Sequence, residues 1–139
     1  MRDGKIDRLK NTRLFGELDK KELEALGEAT TELSLEAGSV LATEGHAGHD
    51  AFVIVEGTVD ITIDGKKVAE AGHDEIVGEM SLLLHEPRRA TVTAATDVVV
   101  LVIEPGRFDQ LLDKVPSITR QLLKSVARRL RDTDELLKG

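Results

Sequence analysis

The feature that most constrains the fold is a series of short apolar segments separated by turns that contain glycine. Ala51–Val55 is a continuous apolar run, as is Val98–Ile103, whereas Val59–Asp64 alternates apolar and polar residues. Alternation with a period of two is typical of a strand with one buried face. Asp64-Gly65 is a tight-turn pair that leads into another strand-like segment. Many short strands joined in this way predict an antiparallel β-barrel or jelly roll.

Helical patterns flank the predicted barrel on both sides. Residues 3–12 carry Ile6 and Leu9 three apart on one face, which indicates a short helix. Asp19 followed by Glu22 matches a capping box and predicts that a second helix begins there. The resulting division is a single mainly-β domain with a helical lead-in at 1–29, a barrel at 30–104 and C-terminal helices at 105–139.

The C-terminal segment predicts two helices, which begin at Pro105 and Pro116. The final helix has an apolar stripe of Leu122, Leu123, Val126, Ala127 and Leu130. A different face carries the basic residues Arg120, Lys124, Arg128 and Arg131. The stripe requires cover from its own barrel or from a second copy. The basic face is either solvated or meets nucleic acid, an acidic partner or an adenine ring.

Composition and charge restrict the function classes. The 139 residues include 40% hydrophobic residues, enough for the core of one domain, but only three Phe and no Trp, Tyr or Cys. A disulfide framework and a thiolate metal site are therefore excluded, and aromatic side chains are too few for a base-stacking platform.

The net charge is −7, and because the chain from Lys114 onward carries +4, the remainder carries −11. An acidic body disfavours nucleic-acid binding. Without an apolar leader or a membrane-length run we expect a cytoplasmic protein with no membrane segment.

The stretch Val77–Val92 combines residues that suit a nucleotide ligand. Gly78 permits close approach of the backbone, and a helical turn after it would direct free N–H groups at an anion. Arg88 can add a bidentate contact to the same anion. Glu79 would repel a bare phosphate but is a strong acceptor for ligand hydroxyls. A phosphate together with a sugar hydroxyl indicates a nucleotide.

The same stretch resembles the phosphate-binding cassette of cyclic nucleotide-binding domains, and the resemblance runs from about Leu14 to Leu130. It implies that Glu79 binds the ribose 2′-hydroxyl and that Arg88 binds the cyclic phosphate. Backbone N–H groups near Ser81 and Ala90 would complete the phosphate cradle. The predicted ligand-binding set is Gly78, Glu79, Met80, Ser81, Arg88, Arg89 and Ala90.

The resemblance implies a regulatory sensor module that is not an enzyme and needs no cofactor or metal. Its ligand would be a 3′,5′-cyclic nucleotide, cAMP in preference to cGMP, because Arg89 replaces the small or hydroxylated residue usual after the phosphate arginine. Val77 is a second departure, at a position that is often aromatic, and affects packing. The C-terminal helix would move on binding and could contact an effector protein or form a homodimer.

Other interpretations stay open from the sequence. The domain could be a degenerate member of the fold, used for protein interaction or dimerisation, with Glu79 and Arg88 forming only a structural ion pair. A metal-dependent, cupin-like enzyme is the third interpretation, since His46-x-x-His49 has Glu44 and Asp50 nearby. The simpler interpretation of those histidines is a polar loop, and His73 and His85 also fit exposed loops. Arg89 either points to solvent or joins Arg88, and Thr91 is either a strand residue or a hydroxyl facing the ligand.

Overall fold

The computed structural model describes residues 16, 18–73, 75–116, 119–120, 122–124, 126–128 and 130–131. The strands are β1 Thr30–Leu35, β2 Val40–Ala42, β3 Ala51–Glu56, β4 Val59–Ile63, β5 Lys66–Ala71, β6 Ile76–Val77, β7 Thr91–Ala94 and β8 Val98–Ile103. The helices are α1 Lys20–Glu28, α2 Glu79–Leu84 and α3 Pro105–Lys114. Two four-stranded antiparallel sheets, β1-β8-β3-β6 and β2-β7-β4-β5, confirm the predicted jelly-roll architecture.

Strand β3 is apolar from Ala51 to Val55 because both of its faces are buried there. Ala51, Val53 and Val55 belong to the cluster that packs against the helices, whereas Phe52 and Ile54 belong to the cluster between the two sheets. Successive side chains of a strand point to opposite faces, so a strand covered on both sides has no position for a polar residue. Strand β8 alternates between the same two clusters, which accounts for the second apolar run.

Helix α1 begins with the predicted capping box. The Glu22 backbone N–H donates to Asp19 Oδ1 at 2.8 Å, and the Asp19 N–H donates to Glu22 Oε1 at 3.3 Å. Leu23 and Leu26 are fully buried in the cluster that also includes the apolar side chains of α3. The helix is therefore started by its cap and fixed to the domain by its apolar face.

The β4–β5 hairpin turns at Asp64 and Gly65, whose φ angles are 51° and 78°. Two consecutive positive φ angles are typical of the turn that matches the twist of paired strands, as the sequence predicts. The predicted buried face is wrong at one position: Val59 is buried and Ile61 is half-buried, but Ile63 is 40% exposed. The reason is that this end of the hairpin extends past the core, as the exposure of β5 up to Glu70 also shows.

The predicted final helix is helical wherever the structure describes it, at 119–120, 122–124, 126–128 and 130–131. Leu122 is buried in the helix-side cluster and Val126 is half-buried, but Leu123 and Leu130 are 64% and 70% exposed. The predicted apolar stripe is therefore only partly covered. The helix predicted at 3–12 lies outside the described residues. Within those residues, no helix is both long enough and apolar enough to cross a membrane.

Candidate functional site

The cassette begins with a backbone conformation that favours glycine. Gly78 has φ of 80° at the N-cap position of α2, and the helix ends at His85, whose N–H donates to Ser81 O at 2.9 Å. A Cβ on Gly78 would lie 2.8 Å from Arg88 Nη1 and 2.9 Å from the Asp50 carbonyl oxygen. Glycine is thus required here both for its dihedral angle and for the room that it leaves to the arginine.

The backbone of Arg88 is held by the loop between β2 and β3. Its N–H donates to His46 O at 3.0 Å, and its carbonyl accepts from Gly45 N at 2.8 Å. The side chain passes close to a second glycine of that loop, because a Cβ on Gly48 would lie 3.3 Å from Arg88 Nε. This loop, which contains the His46 and His49 of the possible metal motif, therefore positions Arg88.

The guanidinium of Arg88 is buried, with 8% of the residue exposed. Its carbon lies 5.6 Å from the centre of the Phe52 ring, a favourable cation–π arrangement. Burial lowers the pKa of Arg88, and the negative charge of Asp50 partly offsets this. Arginine nevertheless stays charged in proteins. Among the described residues, Arg88 Nη1 has no hydrogen-bond partner, so the site presents a desolvated cation with an unused donor.

The seven predicted ligand-binding residues line one cavity of about 110 Å³. Their exposures differ: Glu79, Ser81 and Arg88 are buried, Ala90 is half-buried, and Met80 is 44% exposed. No ion pair joins the side chains of Glu79 and Arg88, both of which the structure describes. The simple structural ion pair is therefore wrong as an account of these two residues, and a carboxylate and a guanidinium face the same space separately.

Part of the cavity lining is an apolar wall that the sequence did not predict. Val92 is in register with Ala42 of β2 and with Ile61 of β4, so the three side chains form a row across three strands. Val77 completes the apolar lining. The available signal was the alternation of β4, which places Ile61 on the inner face, but the register that aligns it with the other two strands is non-local. The cavity is thus amphipathic, lined by both apolar and charged side chains.

Arg89 and Thr91 have different surroundings. Arg89 lines the cavity while exposed to solvent, and its Nη2 lies 3.0 Å from Glu86 Oε2. The Thr91 hydroxyl accepts from the Glu44 N–H at 3.1 Å and donates to Glu44 Oε1 at 3.4 Å. Thr91 is a strand residue that does not line the cavity, and its hydroxyl is engaged on the other side of β7 by Glu44.

The histidines do not assemble into a metal centre within the described part of the chain. No group of three or more His, Asp or Glu side chains there could hold a metal ion. His46 is exposed in the loop, and the ring of His49 packs edge-on against that of His85 at a centroid distance of 5.5 Å. The metal-dependent enzyme interpretation therefore receives no support from these residues.

Replacing Gly78 by alanine should destabilise the domain by about 1–3 kcal/mol, because alanine must adopt positive φ and its Cβ displaces Arg88 or the Asp50 carbonyl. Gly106 provides the control, since it lies in α3 and nothing is within 4 Å of a Cβ there. Gly106→Ala should cause no loss of stability. Urea unfolding of both variants measures the difference, and equal midpoints would show that Gly78 is not constrained.

Comparison with known proteins agrees with this geometry. The sequence model of the cyclic nucleotide-binding domain matches residues 32–115, more than half of the chain. A cAMP-dependent protein kinase regulatory subunit of Candida albicans is 33% identical over 104 residues, which are 75% of this chain and 23% of that protein. The chain thus spans about a quarter of that relative's length.

Two solved structures have the same fold. The N-terminal domain of a transcriptional regulator from Streptomyces coelicolor is 34% identical, covers 94% of this chain and 95% of its own, and has a TM-score of 0.72. The regulatory subunit of a cAMP-independent protein kinase A from Trypanosoma brucei is 28% identical, covers 88% of this chain and 47% of its own, and has a TM-score of 0.75. Because the family's sequence model matches more than half of its length, this chain belongs to the cyclic nucleotide-binding domain family.

Proposed function

We propose that this domain is a regulatory module, not an enzyme, that binds a 3′,5′-cyclic nucleotide, with cAMP preferred to cGMP. The observation that carries the proposal is the buried Arg88, whose Nη1 has no hydrogen-bond partner among the described residues and which lines the cassette cavity. A desolvated cation with a free donor is an unfavourable arrangement unless an anion completes it. A phosphate group satisfies both the charge and the donor.

The other groups of the cavity match the remaining parts of the proposed ligand. Backbone N–H groups at Ser81 and Ala90 complete the contacts to the phosphate, as the resemblance implies. Glu79, which is 2% exposed, accepts from the ribose 2′-hydroxyl, since a carboxylate is an acceptor and would repel a second phosphate. The apolar row of Ala42, Val92 and Ile61 contacts the carbon atoms of the sugar. The amphipathic cavity therefore suits a ribose phosphate.

The preference for cAMP is supported by what surrounds the phosphate arginine. A hydroxyl close to the base would favour guanine, but Arg89 has none and the Thr91 hydroxyl is engaged by Glu44. The relative from Candida albicans is named as cAMP-dependent, whereas the Trypanosoma brucei structure is of a cAMP-independent kinase subunit. Family membership therefore does not determine the nucleotide, and the assignment depends on the residues of this cavity.

A second candidate function is protein interaction or dimerisation without nucleotide. It is favoured by the exposed apolar side chains of α2, because Met80, Leu83 and Leu84 are 44%, 43% and 53% exposed. Such a surface suits a partner protein, and a nucleotide-free module would need no anion at Arg88. Titration with cAMP separates the two candidates, since the interaction module would show no binding heat.

Arg88→Ala should weaken cAMP binding by about 2–5 kcal/mol while the domain stays folded, because the phosphate loses its desolvated cation. Arg107→Ala is the control, since Arg107 lies on α3, donates to Glu28 O and does not line the cassette cavity. Calorimetric titration of wild type and both variants with cAMP and cGMP measures the loss and the base preference. Unchanged cAMP affinity in folded Arg88→Ala would refute the site, and tighter binding of cGMP by wild type would refute the selectivity.

Glu79→Gln should weaken cAMP binding less than the Arg88 substitution does, because an amide oxygen still accepts a hydrogen bond but carries no full charge. The matched ligand is 2′-deoxy-cAMP, which lacks the hydroxyl. It should bind wild type more weakly than cAMP and should lose little further affinity in the variant. Equal affinity of wild type for the two ligands would show that Glu79 does not bind the ribose 2′-hydroxyl.

The final helical segment provides a route from binding to regulation. Leu122 is anchored in the core, whereas Leu123, Arg128, Leu130 and Arg131 are exposed. Aliphatic and guanidinium groups of this kind can cover a purine face, and arginine in particular stacks on aromatic rings. We infer that the segment predicted from about Ser117 to Leu137, whose ends lie outside the described residues, packs more firmly on the barrel when nucleotide is bound, with lid residues between Leu123 and Arg131. Ligand-dependent movement requires that the two positions of the helix differ in nucleotide affinity.

Hydrogen exchange tests this movement. Saturating cAMP should increase the protection of amides between 122 and 131, while the amides of β8, which are already in a central strand, should change little. Unchanged protection of the helix at saturating ligand would reject the lid. Protection that rises with protein concentration in the absence of cAMP would instead identify the apolar stripe as a seam between two copies.

A further inference from the structure

Two adjacent arginines face one cavity with very different surroundings. Arg88 is buried and its Nη1 has no hydrogen-bond partner among the described residues. The side chain of Arg89 is 61% exposed, and its Nη2 lies 3.0 Å from Glu86 Oε2. Both arginines line the cavity, whereas Glu86 does not. The cavity therefore has one cation without an ion-pair partner among the described residues and a second that is paired with a carboxylate outside the cavity.

The number of free cations matters because nucleotides differ in phosphate charge. A cyclic phosphodiester carries a single negative charge, whereas a phosphate monoester has a second pKa of about 6 and carries about −1.5 to −2 at neutral pH. Arg88 alone balances a monoanion, and Glu79 adds a negative charge to the same cavity. A dianion would gain from a second arginine whose charge is not already balanced, whereas the charge of Arg89 is offset by Glu86.

We propose that Glu86 is a specificity-determining residue: by holding Arg89 it keeps the cavity selective for the monoanionic cyclic phosphodiester over the dianionic open nucleoside monophosphate. This inference rests on the proposed function, because it concerns the same cavity. It assigns a role to a carboxylate that would otherwise be an exposed surface residue, and it gives Arg89 a defined position outside the phosphate contact.

The size of the effect follows from the exposure of the pair. Glu86 is 47% exposed, and ion pairs between exposed side chains contribute about 0–1 kcal/mol. That range corresponds to a change of up to about fivefold in relative affinity. The effect should decrease at high salt, since exposed charges are screened over about 10 Å at 0.1 M ionic strength.

The test is the ratio of the affinities for adenosine 5′-monophosphate and cAMP, each measured at low salt by displacement of a fluorescent cyclic nucleotide. Glu86→Gln should shift this ratio about two- to fivefold toward the open nucleotide, because Arg89 is released. The double variant Glu86→Gln, Arg89→Gln should return to the wild-type ratio. Glu70→Gln is the control, since it breaks another exposed pair at the same spacing, with Lys67 on β5, and removes the same charge.

Each result separates this inference from the proposed function. Binding of cAMP with an unchanged ratio in Glu86→Gln overturns the role of Glu86 and leaves the function standing. An equal shift in Glu70→Gln shows a general charge effect and also overturns it, as does a shift that persists in the double variant. Failure of wild type to bind cAMP refutes the proposed function, and this inference with it.

Discussion

The burial of the Arg88 guanidinium is the constraint on which the site depends. Removing a charged group from water is unfavourable unless nearby groups compensate. Here the compensation is indirect, through the charge of Asp50 and the face of the Phe52 ring, and no ion pair within the described residues neutralises the arginine. The side chain fits because Gly48 and Gly78 leave no Cβ in its path. Two segments far apart in sequence must therefore keep their positions for the cation to stay buried and charged.

Strand pairing supplies that positional control. Phe52 of β3 is in register with Val77 of β6, the residue directly before Gly78, so the ring that faces Arg88 is fixed to the start of the cassette. The hydrogen bonds of Arg88 to Gly45 and His46 fix the other end of the cassette to the loop before β3. The cassette is thus attached at both ends to one strand and its preceding loop, which explains how six residues of helix hold a definite orientation.

The parts of this arrangement that could be predicted from the sequence are those with local causes. The capping box at Asp19, the turn at Asp64-Gly65 and the short cassette each depend on residues close together in the chain, and the resemblance to a family implies the roles within the cassette. The apolar wall of Ala42, Val92 and Ile61 could not be predicted, because its alignment depends on the register of three strands. In the loop at 45–50 the histidines are the most noticeable residues of the sequence, whereas glycines and backbone atoms make the contribution to the site and leave a weaker signal in side-chain patterns.

For the proposed function, the barrel supplies few side chains that could contact the base of the nucleotide. Of the three phenylalanines, Phe52 faces Arg88 and Phe108 is buried in the helix-side cluster, while Phe15 lies outside the described residues. Neither described ring is placed to stack on a purine beyond the ribose phosphate. Under the proposed function, cover for the base comes from aliphatic or guanidinium groups, and the final helical segment presents both as exposed side chains. The proposed switch follows from this division of contacts: if the barrel fixes the phosphate and a separate helix covers the base, ligand binding moves that helix, because only the second contact depends on where the helix lies.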